Sequence, residues 1–219
     1  MKTISVSVES LSKAFNRRII FDNITFSLRE RQSVAVTGKN GSGKSTLAKI
    51  LCGLLSPSRG QIRCSIDGEA ILTEGIYQHV GLVSPYITMY EEFSGIENLV
   101  VFAHIRGLRG NIIEDSENLL KRFGIYARRN DEVRTYSSGM KQRLKYAAAL
   151  LHRPEILVLD EPTANLDEEG VGVVRSTMRS QIENGILIIA TNDKEDLDYA
   201  QSRIDLDSDG SKKSSLDSR

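Results

Sequence analysis

One segment, Gly38-Lys39-Asn40-Gly41-Ser42-Gly43-Lys44-Ser45, constrains the fold of this chain more than any other part of its sequence. It fits the pattern G-x-x-x-x-G-K-[S/T] and lies between a short apolar run, 33–37, and a helical pattern that begins near Lys44. Its glycines allow a tight turn in which successive backbone N–H groups point inward at phosphate oxygens. The positive end of the following helix adds to that field. The segment, called the phosphate loop below, therefore predicts a strand–loop–helix unit that binds a nucleotide.

Two side chains of the phosphate loop have specific expected roles. Lys44 would reach the β- and γ-phosphates as a point charge, and Ser45 would hold Mg²⁺ through its hydroxyl. The nucleotide-binding residues predicted here are Gly38, Lys39, Asn40, Gly41, Ser42, Gly43, Lys44, Ser45 and Thr46. The alternative is a glycine-rich loop that matches the pattern by chance, and the strand–loop–helix context disfavours it.

A pair of acids follows an apolar run much later in the chain. Residues 156–159 read Ile-Leu-Val-Leu, and Asp160 and Glu161 come next. An acid at the carboxyl end of a parallel strand sits where open α/β sheets bind ligands. Asp160 would hold Mg²⁺ through water, and Glu161 would polarise an attacking water as a catalytic residue. A strand that merely ends in two solvated acids is the alternative for this run taken alone.

Hydropathy patterns predict alternating strands and helices. Alternation at 4–8 and 24–28 indicates half-buried strands, and continuous apolar runs at 33–37, 156–160 and 186–190 indicate buried ones. Helical spacing covers about 44–54, 96–105, 112–123, 140–152 and 168–183. Strands on both sides of a helical stretch predict an α/β fold with a parallel sheet.

Composition excludes several classes of protein. The chain has 219 residues, 40% of them hydrophobic and 26% charged, as in a globular protein. Its 29 basic and 29 acidic residues give no net charge, which argues against a generally basic nucleic-acid binder. Two cysteines, Cys52 and Cys64, are too few for a disulfide framework and favour a reducing cytosol. No apolar run could span a bilayer and MKTISVSVES lacks a signal-peptide core, so we expect membrane spans to come from another chain.

A third motif precedes the helix predicted at 140–152. Residues 136–143, the signature segment below, read Tyr-Ser-Ser-Gly-Met-Lys-Gln-Arg. Ser137 is the predicted N-cap, and Gly139 would keep the helix entrance open to a phosphate. A capped helix start with no further role is the alternative.

The motifs GKNGSGKST, YSSGMKQR, LVLDEP and ANLD, in this order and spacing, resemble the nucleotide-binding subunit of an ABC (ATP-binding cassette) transporter. The resemblance covers about residues 2–205. It implies a P-loop NTPase core with a mostly parallel sheet, an N-terminal antiparallel β part and an inserted helical subdomain. The expected division is an ATP-binding core at 1–85 and 154–205, a helical signature subdomain at 86–153, and a disordered tail at 206–219.

The resemblance also implies a site shared between two subunits. Two ATP molecules would be sandwiched in a head-to-tail homo- or heterodimer, with Ser137 and Gly139 binding the γ-phosphate of the partner's ATP. Asp167 would communicate across the interface, and Phe15 would stack on adenine. A separate transmembrane permease chain would hold the subunit at the inner face of the cell membrane, at a surface around 86–93. Closure of the helical subdomain's own core is the alternative for that aromatic stretch.

Three departures from the family pattern bear on activity. Tyr136, Ser138 and Met140 differ from the usual LSGGQ, in a way that resembles the exporter branch. Pro85 replaces the glutamine that usually contacts Mg²⁺ and the attacking water, and Asn192 replaces the usual switch histidine. Asn192 can hydrogen-bond a γ-phosphate oxygen but cannot carry a positive charge. We therefore expect secure ATP binding, slow turnover, and several-fold faster hydrolysis with little change in ATP affinity for Asn192→His.

The leading functional hypothesis is an ATP-hydrolysing subunit that powers a transporter. One alternative is a soluble ABC ATPase without a transport role, and another is an ATP-dependent dimer clamp with little hydrolysis. The absence of a long coiled-coil insert and the presence of one cassette favour transport. The sequence does not specify the transported substrate.

Overall fold

A computed structural model describes residues 2–207. The predicted tail therefore lies outside the described residues, apart from Leu206 and Asp207. The strands are β1 (Ile4–Phe15), β2 (Arg18–Arg29), β3 (Ser33–Thr37), β4 (Arg59–Ile66), β5 (Glu69–Ile71), β6 (Val80–Val83), β7 (Ile156–Asp160), β8 (Ile186–Ala190) and β9 (Ser202–Asp205). The helices are α1 (Lys44–Leu51), α2 (Gly95–Ile105), α3 (Ile112–Arg122), α4 (Ser138–Leu150), α5 (Glu168–Asn184) and α6 (Lys194–Leu197).

The central sheet is parallel, as predicted. Its strand order is β6-β7-β8-β3-β9, and every neighbouring pair runs in the same direction. All residues of β7 and β8 are buried, because α1 contacts both strands and α5 also covers β8. Burial on both sides explains why these strands read as continuous apolar runs rather than alternating ones. The carboxyl ends of β3, β7 and β8 consequently lie side by side at one edge of the sheet.

A second, antiparallel sheet has the order β2-β1-β4-β5, which confirms the N-terminal antiparallel part. Strands β1 and β2 form a hairpin whose two loop residues, Asn16 and Arg17, both have positive φ, 47° and 67°. That geometry is typical of a two-residue hairpin turn whose twist matches the strands. Both strands are longer than predicted, because pairing shifts register between Val8 and Leu11 and the alternation of apolar residues is lost there.

Along the chain, helices α2, α3 and α4 lie between β6 and β7, two neighbouring strands of the parallel sheet. Their shared core includes Leu99, Leu120 and Leu144, and the rings of Phe123 and Tyr146 stack with centroids 5.6 Å apart. As predicted, the described structure contains no strand within residues 86–153. The described chain also has no helix that combines the length and apolar character needed to cross a bilayer.

Helix α1 ends at Leu51, earlier than its hydropathy pattern predicts. Gly53 adopts a left-handed conformation (φ 72°), and the N–H of Leu54 donates to the carbonyl of Lys49. This is the geometry of a glycine-terminated helix, in which the turn satisfies the last carbonyls. Leu54 is therefore 64% exposed and not part of the buried helix face.

Candidate active site

The phosphate loop lies at the carboxyl end of β3, and its shape depends on glycine. Gly38, Gly41 and Gly43 all have positive φ, of 144°, 85° and 103°. A Cβ on Gly38 would lie 2.6 Å from Ser42 Oγ, and one on Gly43 would overlap the side chain of Ile20. A Cβ on Gly41, in contrast, would meet no atom within 4 Å. Close packing thus fixes the base of the loop and leaves its tip open.

The start of α1 fits a bound phosphate. Gly43 is the N-cap, no side chain caps the helix, and its first turn contains no acidic residue. The first N–H groups of the helix therefore keep their capacity to donate to an external anion. Ser42 Oγ, beside them, is buried without a hydrogen-bond partner among the described residues. A buried hydroxyl of this kind needs a hydrogen-bond partner, and residues 2–207 do not provide one.

The ammonium group of Lys44 is held inside the loop. The residue is 7% exposed, and its Nζ donates to the carbonyl of Gly38 at 2.7 Å and to that of Lys39 at 3.3 Å. These bonds keep a positive charge at the centre of the turn, where phosphate oxygens can compete for it with the two neutral carbonyls.

The residues predicted to hold Mg²⁺ lie on neighbouring elements. Asp160 ends β7 and is 2% exposed, and Ser45 lies in the first turn of α1, which packs on β7. Among residues 2–207 no three His, Cys, Asp or Glu side chains form a group that could hold a metal by themselves. One carboxylate and one hydroxyl still fit Mg²⁺, because this ion takes most of its remaining ligands from phosphates and water.

Glu161 occupies a constrained position directly after β7. Its φ is 51°, in the left-handed region that is uncommon for residues other than glycine, and its N–H donates to the carbonyl of Ala190 at 2.9 Å. Burial raises the pKa of the Glu161 carboxyl, the charge of Lys44 opposes this, and Asp160 raises it further. A carboxyl with a raised pKa, next to Lys44 and to Asp160, the predicted Mg²⁺ ligand, is suited to proton transfer.

Buried polar groups of α4 and α6 form hydrogen bonds with the loop that follows Glu161. Tyr146 OH, on α4, donates to the carbonyl of Pro162 at 2.8 Å. Asp196 Oδ2 accepts from Thr163 Oγ at 3.0 Å and from Thr191 Oγ at 3.4 Å, so it joins the loops that follow β7 and β8. These contacts hold Glu161 between fixed neighbours.

Asn192 follows β8 and contacts the phosphate loop directly. Its Oδ1 accepts from the N–H of Gly38 at 3.3 Å, and its Nδ2 donates to the carbonyl of Gly38 at 2.9 Å. The structure thus brings Asn192, Lys44, Asp160 and Glu161 to one edge of the parallel sheet.

Ser137, Gly139 and Asp167 form a second group. Ser137 caps α4 by accepting from the N–H of Met140 at 3.2 Å, which confirms the predicted N-cap. A Cβ on Gly139 would lie 3.3 Å from the carbonyl of Asn165, so the signature segment packs against the ANLD segment. Asp167 caps α5 and forms an ion pair with the buried Arg143 of α4. Within residues 2–207, no hydrogen bond or ion pair connects this group with the phosphate loop of the same chain.

Phe15 lies at the end of β1, beside the hairpin turn, and is 45% exposed with Lys13 Nζ 4.7 Å from its ring centroid. The same hairpin borders the phosphate loop, since a Cβ on Gly43 would overlap the side chain of Ile20 and lie 3.1 Å from that of Phe21, both on β2. Phe15 is therefore an exposed aromatic residue on the hairpin that contacts the loop.

Several contacts at the site involve residues that the sequence did not single out. Ser84 Oγ donates to Asp160 Oδ2 at 3.1 Å, and both residues are buried. Asp207 Oδ2 accepts from the N–H of Lys39 at 2.6 Å. A serine after a strand and an aspartate in a polar stretch carry no signal of their own. The one available clue was their position, one residue or two beyond the end of a strand.

Comparison with known proteins agrees with this geometry. The profile of the family described as ABC transporter matches residues 21–164. The chain belongs to the ABC transporter family. The linearmycin resistance ATP-binding protein LnrL of Bacillus subtilis (strain 168) is 32% identical over 190 residues, which are 85% of this chain and 60% of that protein. The chain spans between 60% and 63% of the length of the first relatives it matches.

Solved structures of ABC proteins confirm the predicted fold class. The structure of an ATP binding subunit of an ABC transporter matches with a TM-score of 0.78 and 28% identity, covering 91% of this chain and 85% of that chain. A dimeric ATP-binding cassette in a post-hydrolysis state, bound to ADP and Pi, matches with a TM-score of 0.80 and covers 91% of this chain and 93% of that one. At 21% identity, the second match shows the fold alone.

Proposed function

We propose that this chain is an ATP-binding and ATP-hydrolysing subunit that drives an ABC transporter whose membrane spans are on separate chains. The observation that carries this proposal is the anion cradle of the phosphate loop, with Lys44 at its centre and Asp160 and Glu161 at the end of β7. ATP is the substrate and Mg²⁺ the cofactor, which when bound would neutralise charge on the β- and γ-phosphates.

Each residue of the cradle has a proposed role. The N–H groups of α1 bind phosphate oxygens, Lys44 exchanges its two carbonyl partners for phosphate, and Ser45 and Asp160 hold Mg²⁺. Glu161, deprotonated, orients and activates the attacking water, and the raised pKa of its carboxyl makes it a stronger base. Asn192 offers its neutral amide to the γ-phosphate, and Pro85 offers no side-chain contact. Turnover is therefore slow.

The second group of residues acts on the ATP of a partner subunit. Ser137 and Gly139 have no hydrogen bond or ion pair to their own phosphate loop within residues 2–207, which supports a role in trans in a head-to-tail homo- or heterodimer. Asp167 contributes at that interface, and Phe15 stacks on adenine from the hairpin that borders the loop. The helical subdomain at 86–153 carries the signature segment, and residues 1–85 and 154–205 form the ATP-binding core.

A permease at the cytoplasmic face of the membrane is the proposed partner. The segment 86–93 exposes three aromatic side chains: Tyr86 is 66%, Tyr90 47% and Phe93 39% exposed. Met89 between them is buried, and the ring of Tyr90 packs on Phe93 and on Phe102 of α2, with centroids 5.3 and 5.9 Å apart. The segment therefore contacts the core of the helical subdomain while leaving much aromatic surface exposed. The name of LnrL, a resistance protein, and the exporter-like Tyr136 and Met140 support transport, with export as the favoured direction.

The test of ATP binding is Lys44→Ala. We expect at least tenfold weaker MgATP binding by calorimetry, about 1.4 kcal/mol, because the loop loses its central cation. Lys121→Ala, on the exposed face of α3, is the control and should bind as the parent does. Unchanged affinity in Lys44→Ala would contradict the assignment of the loop. Co-purification with a membrane-spanning chain distinguishes the transporter subunit from a soluble ATPase, and measured turnover distinguishes both from a dimer clamp.

A further inference from the structure

The first two residues of the phosphate loop are held by side chains from both strands beside β3. Strand β3 lies between β8 and β9. From the end of β8, Asn192 accepts from the N–H of Gly38 and donates to its carbonyl. From the end of β9, Asp207 accepts from the N–H of Lys39. Three hydrogen bonds therefore fix the main chain of Gly38 and Lys39, where the loop begins after β3.

We propose that Asn192 and Asp207 form a clamp on the main chain of Gly38 and Lys39 that keeps the phosphate loop in its nucleotide-binding shape. In this clamp both are positioning residues that act through the loop. The γ-phosphate contact proposed for Asn192 is a separate role, made by the second N–H of its Nδ2, since only one N–H is needed for the carbonyl of Gly38. The proposal rests on the proposed ATP-binding function and adds a role that nothing in the family pattern assigns to these two side chains.

The carbonyl of Gly38 shows why the clamp matters. Its oxygen accepts from Lys44 Nζ at 2.7 Å and from Asn192 Nδ2 at 2.9 Å. A carbonyl oxygen has two lone pairs, so both are used. When Lys44 turns toward a phosphate, the bond from Asn192 remains and the carbonyl keeps a partner. The loop can thus release its lysine without rearranging its first residue.

An asparagine side chain is suited to this contact. Its amide presents a donor and an acceptor side by side and can pair with the N–H and carbonyl of one residue. An imidazole also has one donor and one acceptor, but on opposite sides of its ring. Gly38 has φ 144°, a conformation open to glycine and to few other residues, and glycine is the residue with the most freedom to lose on ordering. Two bonds on Gly38 oppose that freedom.

The position of Asp207 follows from the pairing of β9. The N–H of Leu206 donates to the carbonyl of Thr37 at 3.0 Å, which continues the pairing of β3 with β9 to the edge of the loop. The N–H of Asp207 donates to Asp205 Oδ1 at 3.0 Å, and the carboxylate of Asp207 accepts from the N–H of Lys39. The negative charge of Asp207 opposes phosphate binding, whereas its hydrogen bond to Lys39 stabilises the nucleotide-binding conformation of the loop. Substitution can therefore separate the two effects.

The decisive measurement is MgADP affinity, because ADP lacks the γ-phosphate that Asn192 is proposed to contact during hydrolysis. If only a fraction of the molecules has the loop in its binding conformation, the apparent dissociation constant equals the intrinsic one divided by that fraction. Loss of the two bonds from Asn192 should weaken MgADP binding about tenfold in Asn192→Ala. Asp207→Ala should weaken it several-fold, while Asp207→Asn, which keeps an acceptor without the charge, should bind at least as well as the parent.

Hydrogen exchange without nucleotide gives a second readout. In Asn192→Ala and Asp207→Ala, peptides that cover 38–42 should exchange faster, whereas peptides of β7 should not change. Asn118→Ala, on exposed α3, is the control and should alter neither measurement. Unchanged MgADP affinity in Asn192→Ala would overturn the clamp, as would weaker affinity without faster exchange. If Lys44→Ala fails to weaken ATP binding, the proposed function itself is wrong, which is a separate result.

Discussion

Removal of the Ser84 hydroxyl tests how Asp160 is held. Ser84 Oγ donates to Asp160 Oδ2 at 3.1 Å, and the two residues are 3% and 2% exposed. Ser84→Ala deletes this donor, and with it the acceptor of a longer hydrogen bond from the N–H of Tyr86 at 3.4 Å. The space of one hydroxyl is too small to admit a water with several polar partners, so no replacement donor is expected.

The magnitude follows from burial and charge. A hydrogen bond to a charged group contributes about 1.5–3 kcal/mol to the free energy of unfolding, and a buried acceptor left without it bears the full cost. In a protein of this size, 1 kcal/mol shifts the melting temperature by about 2–4 °C. Ser84→Ala should therefore melt about 3–12 °C below the parent in the absence of nucleotide.

Calorimetric melting without nucleotide, followed by Mg²⁺ titration of ATPase activity, measures both consequences. A less firmly held Asp160 should raise the Mg²⁺ concentration needed for half-maximal activity. Ser176→Ala, which removes an exposed hydroxyl from α5, is the matched control and should melt close to the parent. A melting temperature within about 1 °C of the parent, with unchanged Mg²⁺ dependence, would refute the view that Ser84 fixes this carboxylate.

Variants at three further sites test the chemistry and the partner. Glu161→Gln should bind ATP, lose most turnover and accumulate an ATP-bound dimer; hydrolysis at the parent rate would exclude Glu161 as the base. The pKa of the Glu161 carboxyl is raised in the folded state, so its ionised form destabilises the folded protein once the pH exceeds the ordinary glutamate pKa. Glu161→Gln should therefore have a higher melting temperature than the parent at neutral pH, and this difference should disappear in acid. Glutamate at Tyr86 or at Tyr90 should abolish permease binding. The melting temperature should stay unchanged for Tyr86→Glu, whereas Tyr90→Glu should also lower it, because the ring of Tyr90 stacks on Phe102. A large drop for Tyr86→Glu would instead support a core role for this segment. Asn192→His should hydrolyse bound ATP several-fold faster, and slower or unchanged turnover would mean that the amide already serves the reaction. Because the substitution also removes the two hydrogen bonds to Gly38, we now expect KM for ATP to rise, in place of the nearly unchanged ATP affinity expected from the sequence.

The sequence predicted best the elements whose physical cause is local. Strands β3, β7 and β8 have the predicted bounds, because an apolar run closed by polar residues is visible without any knowledge of neighbours. Strand β1 was predicted only in part, since its register shift is a property of pairing with β2 and β4. Helix α1 ends early because Gly53 can adopt a left-handed turn, which its hydropathy pattern does not reveal.

The candidate site divides in the same way. The phosphate loop could be predicted because its backbone geometry is encoded by its own glycines. The contacts of Ser84 and Asp207 could not, because they depend on which strands become neighbours. Asp160 lies beside Ser84 since β7 pairs with β6, and Lys39 lies beside Asp207 since β9 pairs with β3. That order of strands is set by the whole chain.

Asn192 shows where a comparison with a family pattern stops and geometry begins. The pattern reveals that a histidine is missing, and chemistry adds that an amide cannot carry its charge. Neither reveals that both polar atoms of the amide pair with Gly38, because this follows from the adjacency of β8 and β3. The amide of Asn192 provides no positive charge to stabilise the transition state, which lowers kcat. Its hydrogen bonds to Gly38 hold the loop in the ground state, which lowers KM. Measuring the two constants separately, with ADP affinity as the reference, therefore assigns each effect to its cause.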